Sequence, residues 1–187
     1  MSLTDQHKRW KVLPNVDYGR NLDAMIPGAP NFRYGEVVES EVAVKHGIKN
    51  IPTEADWKRA EDYARSIAQP CRNAKGRIHM SSWFRCVELN SHPDIGGSDK
   101  GFHPYGGGGD LKPIDCSLME LLEWAVLHLP EVAEVIAEYF PNGWVHLGWV
   151  RGDNRRKIKL KDAHHNYSPI TLQALKQLYP AHTPPPS

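Results

Sequence analysis

Hydrophobic and polar positions alternate with two different periods along this chain, and the helical one is clearest from Thr53. Thr53 follows Pro52 and is placed to cap the backbone N–H of Asp56. Trp57, Ala60, Ala64, Ile67 and Ala68 then recur at helical spacing, until Pro70 is expected to end the element. A second helix is expected from Ser117, which can cap Glu120, with Leu118, Leu121, Leu122, Ala125 and Leu129 as its apolar face and Pro130 as its break. Residues 32–46 predict a shorter helix ending near Gly47. Residues 77–89 read as a strand running into a turn, and residues 143–150 (GWVHLGWV) alternate as a strand does. The segment NRRKIKLKD predicts an exposed edge strand, its lysines guarding one face. Residues 131–140 fit either a helix or a buried strand, and residues 91–110, rich in glycine, read as loop.

The ends carry less periodicity. Residues 1–30, with Pro14, Pro27 and Pro30, read as an N-terminal arm, and the Pro-rich stretch 181–187 as a disordered tail. Neither an internal repeat nor a linker separates the elements between them. The expectation is therefore one α+β domain over residues 31–180, with a small antiparallel sheet and flanking helices. A chain of 187 residues is long enough to bury a core.

Composition removes several function classes. The formal net charge of +1 gives no pull towards nucleic acid or an anionic membrane, and a monomer is expected. No apolar run approaches the roughly 20 residues of a membrane span. The first residues, MSLTDQHKRWKVLPN, lack the short apolar stretch of a signal peptide, so synthesis in the cytoplasm is expected. Cys71, Cys86 and Cys116 are odd in number and widely spaced, which suits neither a disulfide framework nor a CxxC site and fits a reducing compartment. Ten histidines make a metal worth seeking.

Three residues stand out as ligands. His103 and Asp110 lie seven positions apart across a glycine-rich loop, and the four glycines 106–109 argue against a helix there. Such a loop can fold back and bring both side chains to one point. His146 lies between Val145 and Leu147 on the alternating strand, so its side chain leaves on the opposite face from both. Two imidazoles and a carboxylate suit Zn²⁺ and leave a fourth position for water. Spacing alone does not single them out, because a strand histidine is more often a hydrogen-bonded core residue and a loop histidine is more often exposed.

The motifs around them are more specific. Residues 98–110 (SDKGFHPYGGGGD) resemble the SxHxxGxAxD motif of the zinc D-Ala-D-Ala carboxypeptidase and phage endolysin superfamily. Residues 80–90 (MSSWFRCVELN) resemble the SSGYRSxxLN segment of its small phage and prophage peptidases. Gly96, Gly97 and Ser98 are similar to the GGS before the first ligand, and Gly143 to Leu147 to the WVHVS strand. Upstream, Phe32, Ser40, Gly47, Ile48, Asn50 and Pro52 are similar to the N-terminal signature of that group. The similarity runs over roughly residues 31–165, with the motifs in the family's order.

The resemblance implies a zinc site at the sheet, with His103, Asp110 and His146 as ligands. It implies that Arg85 binds a substrate carboxylate or the developing oxyanion; otherwise Arg85 reads as a surface arginine or an ion pair with Glu88. The family's general base is a carboxylate shortly before the last ligand, which points to Glu138. If 135–140 is a strand, Glu138 sits beside the metal; if 131–140 is a helix, it is a solvated residue like Glu131 and Glu134. Gly101, Phe102, Gly108 and Trp83 stand where the family has Ser, a polar residue, Ala and Gly, so substrate contacts are expected to differ.

The implied function is hydrolysis of amide bonds in peptidoglycan peptide stems, reached after phage lysis or from a virion. The alternatives are an inactive binding or structural module of a phage tail or virion, and a non-peptidase amidohydrolase using the same metal. Trp144 and Trp149 read as core or groove-lining residues, and His164 and His165 as exposed. The basic run Arg155, Arg156, Lys157, Lys159 and Lys161 reads as a solvated strand, or as a contact for acidic cell-wall polymer.

Overall fold

A computed structural model describes residues 9–98 and 100–180. The tail expected at 181–187 and the first eight residues of the expected arm lie outside them. The first elements are a two-stranded antiparallel ribbon, β1 (Met25–Ile26) and β2 (Ala29–Arg33). The stretch 32–46 then forms two helices, α1 (Tyr34–Val38) and α2 (Glu41–His46), where one was expected. Glu39 and Ser40 are extended and break the run, and Ser40 restarts it by accepting the Ala43 N–H. Gly47 closes α2 in the left-handed conformation, φ 67°.

Helix α3 (Glu54–Tyr63) begins at Thr53, whose side chain accepts the Asp56 N–H while the Asp56 carboxylate accepts the Thr53 N–H. It does not stop at Pro70. A π turn, Ala64–Ala68, leads into α4 (Gln69–Lys75). Here the Gln69 N–H reaches back five residues to the Ala64 carbonyl. The wider turn makes room ahead of the proline ring, which would clash with a regular α-turn.

The chain continues as β3 (Ile78–Ser82), α5 (Val87–Asn90), a 3₁₀ turn at His103–Tyr105 and β4 (Gly108–Pro113). Then come α6 (Leu118–His128), β5 (Val132–Glu138), β6 (Trp144–Trp149), β7 (Lys157–Lys161), β8 (Tyr167–Pro169) and α7 (Leu172–Leu178). The ambiguous segment 131–140 is thus a strand, as its β-branched Val132, Val135 and Ile136 favour. Gly108 to Asp110, read as loop, are strand as well. The fold is α+β, with mixed helix and sheet.

Two compact units emerge, one from residues up to Gln69 with Met80–Gly109, the other from Pro70–His79 with residues from Asp110 onward. In the first, Trp10, Val12, Tyr18, Leu22 and Ile26 are buried, so residues 9–30 belong to its core. Gly35 is required there, since a Cβ would meet the Trp10 ring at 2.1 Å.

The second unit carries a six-stranded sheet in the order β3-β4-β6-β5-β7-β8. β5 pairs antiparallel with β6 and parallel with β7, so the sheet is mixed. β7 is therefore flanked on both sides, contrary to the expected edge, and β8 lies outermost. Its lysines meet acidic partners on β5: Lys159 pairs with Glu134 and Lys161 with Glu138. Register divides the sheet into two faces. Val135, Ala137, Val145, Leu147, Ile158 and Leu160 share the apolar one, while Glu134, Glu138, Trp144, His146, Lys159 and Lys161 share the polar one. Helix α6 packs on β5 and β6, with Leu121, Leu122 and Ala125 buried. Among the described residues no helix is long and apolar enough to cross a membrane.

Candidate metal centre

In the first unit, the segments singled out by their motifs converge on His103. Asn50 is the anchor. Its amide donates to the Val38 and Phe84 carbonyls, and its Oδ1 accepts the Cys86 N–H. It is buried, and these bonds fix the turn 84–86 that carries Arg85. Arg85 Nε donates to Ser82 Oγ at 2.7 Å, Nη1 to Asn90 Oδ1 at 3.3 Å, and Nη2 to His103 Nε2 at 3.1 Å. Asn90 in turn donates to the Ser98 carbonyl at 2.6 Å. A Cβ on Gly97 would come within 2.5 Å of Asn90 Oδ1, so glycine is needed where that contact is made.

His103 opens the 3₁₀ turn, with Pro104 behind it and Gly106 closing it at φ 75°. Its Nδ1 is hydrogen-bonded to the Trp83 carbonyl. A carbonyl only accepts, so Nδ1 carries the proton and Nε2 keeps the lone pair that a metal needs. Trp83 itself is 1% exposed and packs edge-on to Phe32 and against Tyr63. Its ring fills the core of the unit, so this departure from the family pattern is a packing residue.

In the second unit, Asp110 on β4 and His146 on β6 are both buried, with Asp110 Oδ1 and His146 Nδ1 2.9 Å apart. His146 lies opposite Ile136 on β5, and Glu138 opposite Trp144. Glu138 therefore shares the sheet face of His146 as its diagonal neighbour, about 7 Å away at the backbone. The turn after Glu138 admits only glycine at 143, where a Cβ would lie 1.9 Å from the Glu138 carbonyl oxygen.

Glu138 is 6% exposed, and Lys161 Nζ donates to its Oε2 at 2.9 Å. Burial pushes the Lys161 ammonium down, but hydrogen bonds to Tyr167 and Glu138 outweigh it and hold the pKa above its ordinary 10.5. Lys161 is not solvated, as the basic run around it suggests, but is the partner of the candidate base. The alternation of Lys157, Lys159 and Lys161 with Ile158 and Leu160 shows one charged face, but not that acidic residues stand beside it. His164 and His165 are exposed as expected, with His165 Nδ1 2.7 Å from the Tyr139 hydroxyl. The Trp144 Nε1 is buried without a partner.

His103, Asp110 and His146 each offer one ligand atom, all three buried and all within 4.8 Å of one another, a group that could hold a metal ion. Two ligand atoms about 2.1 Å from a tetrahedral ion stand about 3.4 Å apart, so the 2.9 Å Asp110–His146 separation has to open by about half an ångström. The donor set of two nitrogens and one carboxylate fits zinc. The chain matches no protein-family model, and no curated protein matches it in sequence.

Proposed function

We propose that this chain is a zinc-dependent peptidase that hydrolyses amide bonds of peptidoglycan peptide stems, in the manner of the D-Ala-D-Ala carboxypeptidase and endolysin superfamily it resembles. The observation that carries the reading is the buried His103–Asp110–His146 group. It is supported by a buried carboxylate, Glu138, on the sheet face of His146 and by a fixed guanidinium, Arg85, bonded to His103.

His103 Nε2, an Asp110 carboxylate oxygen and His146 Nδ1 would hold the ion. Bound zinc supplies Lewis acidity, lowering the pKa of a water towards about 7 and polarising an amide carbonyl. Glu138 accepts the proton that the water gives up as it adds to the carbonyl carbon, and returns it to the amide nitrogen as the C–N bond breaks. Lys161 holds that carboxylate in one orientation. Arg85 is held by Ser82 and Asn90, so its Nη2 is directed and not free to wander. That donor now rests on His103 Nε2, the proposed ligand atom. With His103 Nε2 given over to an ion, the Arg85 donor would be free for a substrate carboxylate or the oxygen that gains charge.

A second reading rests on Gly101 and Phe102, which depart from the family pattern directly before His103. On it, the chain is an inactive module of a phage tail or virion that keeps the fold and the metal. Muropeptide digestion by the zinc-loaded protein, with products separated by chromatography, tests the two. New amine-bearing products support the peptidase. Intact muropeptides from a protein that carries zinc refute it and favour the module.

A further inference from the structure

A second group of metal-ligating residues lies in the first unit, apart from His103: His46, His92 and Asp94. Each offers one ligand atom, and these atoms lie within 4.8 Å of one another. His46 Nε2 and Asp94 Oδ2 are 2.8 Å apart although 48 positions separate them in sequence. The His46 and His92 rings face each other with centroids 4.2 Å apart. We propose that His46, His92 and Asp94 form a second, solvent-facing site for a borderline divalent metal ion such as Zn²⁺, which clamps the end of α2 to the turn at 92–96.

The scaffold around the three side chains is held in advance. Ser40 and Gly47 cap the two ends of α2, which fixes His46 in its last turn. The turn is closed by Ile95 and Gly96 N–H groups that both donate to the His92 carbonyl at 2.9 Å. Asp94 N–H donates to His92 Nδ1 at 3.1 Å, which sets the ring against His46. Beneath them Ala43, Ile48 and Leu89 form a buried cluster, with Val42, Cys86 and Ile95 packed on it. That cluster holds α2 against the segment bearing His92 and Asp94, so the ligands need no folding step to meet.

The chemistry selects the ion. Imidazole nitrogens with one carboxylate favour zinc, nickel or copper over magnesium or calcium, which want oxygen ligands. Exposure of His46 and Asp94 leaves the remaining coordination positions to water. Two competitors are present: the Asp94 N–H holds the His92 Nδ1 lone pair, which the ion must take in its place, and Lys45 Nζ donates to the same Asp94 Oδ2 at 2.8 Å. Its side chain is 67% exposed and can swing into solvent, leaving the oxygen to the ion.

The test titrates zinc into metal-stripped protein, followed by native mass spectrometry and by the rise in unfolding temperature. The expected result is a zinc equivalent present in the wild type, retained in His103→Ala, and lost in both His46→Ala and Asp94→Asn. All of the site's residues are at least partly exposed, so these variants fold, as circular dichroism will show. His92→Gln is the third variant and should lose the same equivalent. If no equivalent is sensitive to His46→Ala or Asp94→Asn, the second site is refuted. The buried centre is judged separately: loss of an equivalent only in His103→Ala supports that centre and overturns this one. An equivalent lost only in His46→Ala and Asp94→Asn does the reverse.

Discussion

Replacing Lys161 by methionine removes the cation hydrogen-bonded to Glu138 and keeps an unbranched apolar stem. In the wild type the Lys161 and Glu138 side chains are 12% and 8% exposed and 2.9 Å apart. Removing one partner of a buried ion pair costs about 3–5 kcal/mol, because the remaining charge is left without compensation. Lys161→Met should therefore lose about 3–5 kcal/mol in urea denaturation near pH 7. If Glu138 is the base, loss of the cation that orients its carboxylate should also lower kcat/KM near pH 7. Adding Glu138→Gln should recover most of the lost stability, since the uncompensated charge is then gone. A Lys161→Met protein as stable as wild type at neutral pH, with undiminished kcat/KM, would refute the reasoning.

Three further outcomes follow from other positions. Glu138→Gln should retain its zinc by elemental analysis and lose turnover by roughly 10²–10⁴-fold; undiminished turnover would move the base to another carboxylate. Burial pushes Glu36 up to about 7 from its ordinary 4.5 while it accepts the Arg33 N–H. A carboxyl raised in the fold favours the folded state below its unfolded value, and that contribution is lost as pH rises from 4.5 through about 7. Glu36→Gln keeps the acceptor, so it should exceed wild type by about 1–3 kcal/mol near pH 8 and match it near pH 4.5, read from urea curves at both. Asn50→Ala leaves the Val38 and Phe84 carbonyls and the Cys86 N–H without their partner. It should cost about 2–3 kcal/mol, seen as a lower unfolding temperature.

The sequence is most legible where chemistry is local. Thr53 and Ser117 are caps because their hydroxyls reach an N–H only three residues on. The alternation around His146 sets its face for the same reason, since period two is a property of any strand. What was not legible depends on neighbours distant in sequence. Pro70 reads as a stop until the π turn at Ala64–Ala68 makes room for it. The lysines of β7 read as an edge guard until β5 places Glu134 and Glu138 beside them. Trp83 reads as a change in a substrate loop, yet its ring fills the core against Phe32 and Tyr63. His46, His92 and Asp94 carry no motif at all; only the packing of α2 on the 87–95 segment brings them together. The grouping of His103, Asp110 and His146 was anticipated from ordered motifs, and the zinc and the hydrolysis remain proposals that rest on them.

An anomalous diffraction map recorded at the zinc edge, from crystals of protein purified without chelator, bears most directly on that proposal. The expected result is a peak about 2.0–2.2 Å from His103 Nε2, an Asp110 carboxylate oxygen and His146 Nδ1, with Arg85 withdrawn from His103. A map without a peak there, with Arg85 still on His103 Nε2 and Asp110 still hydrogen-bonded to His146 after zinc has been supplied in excess, would contradict it.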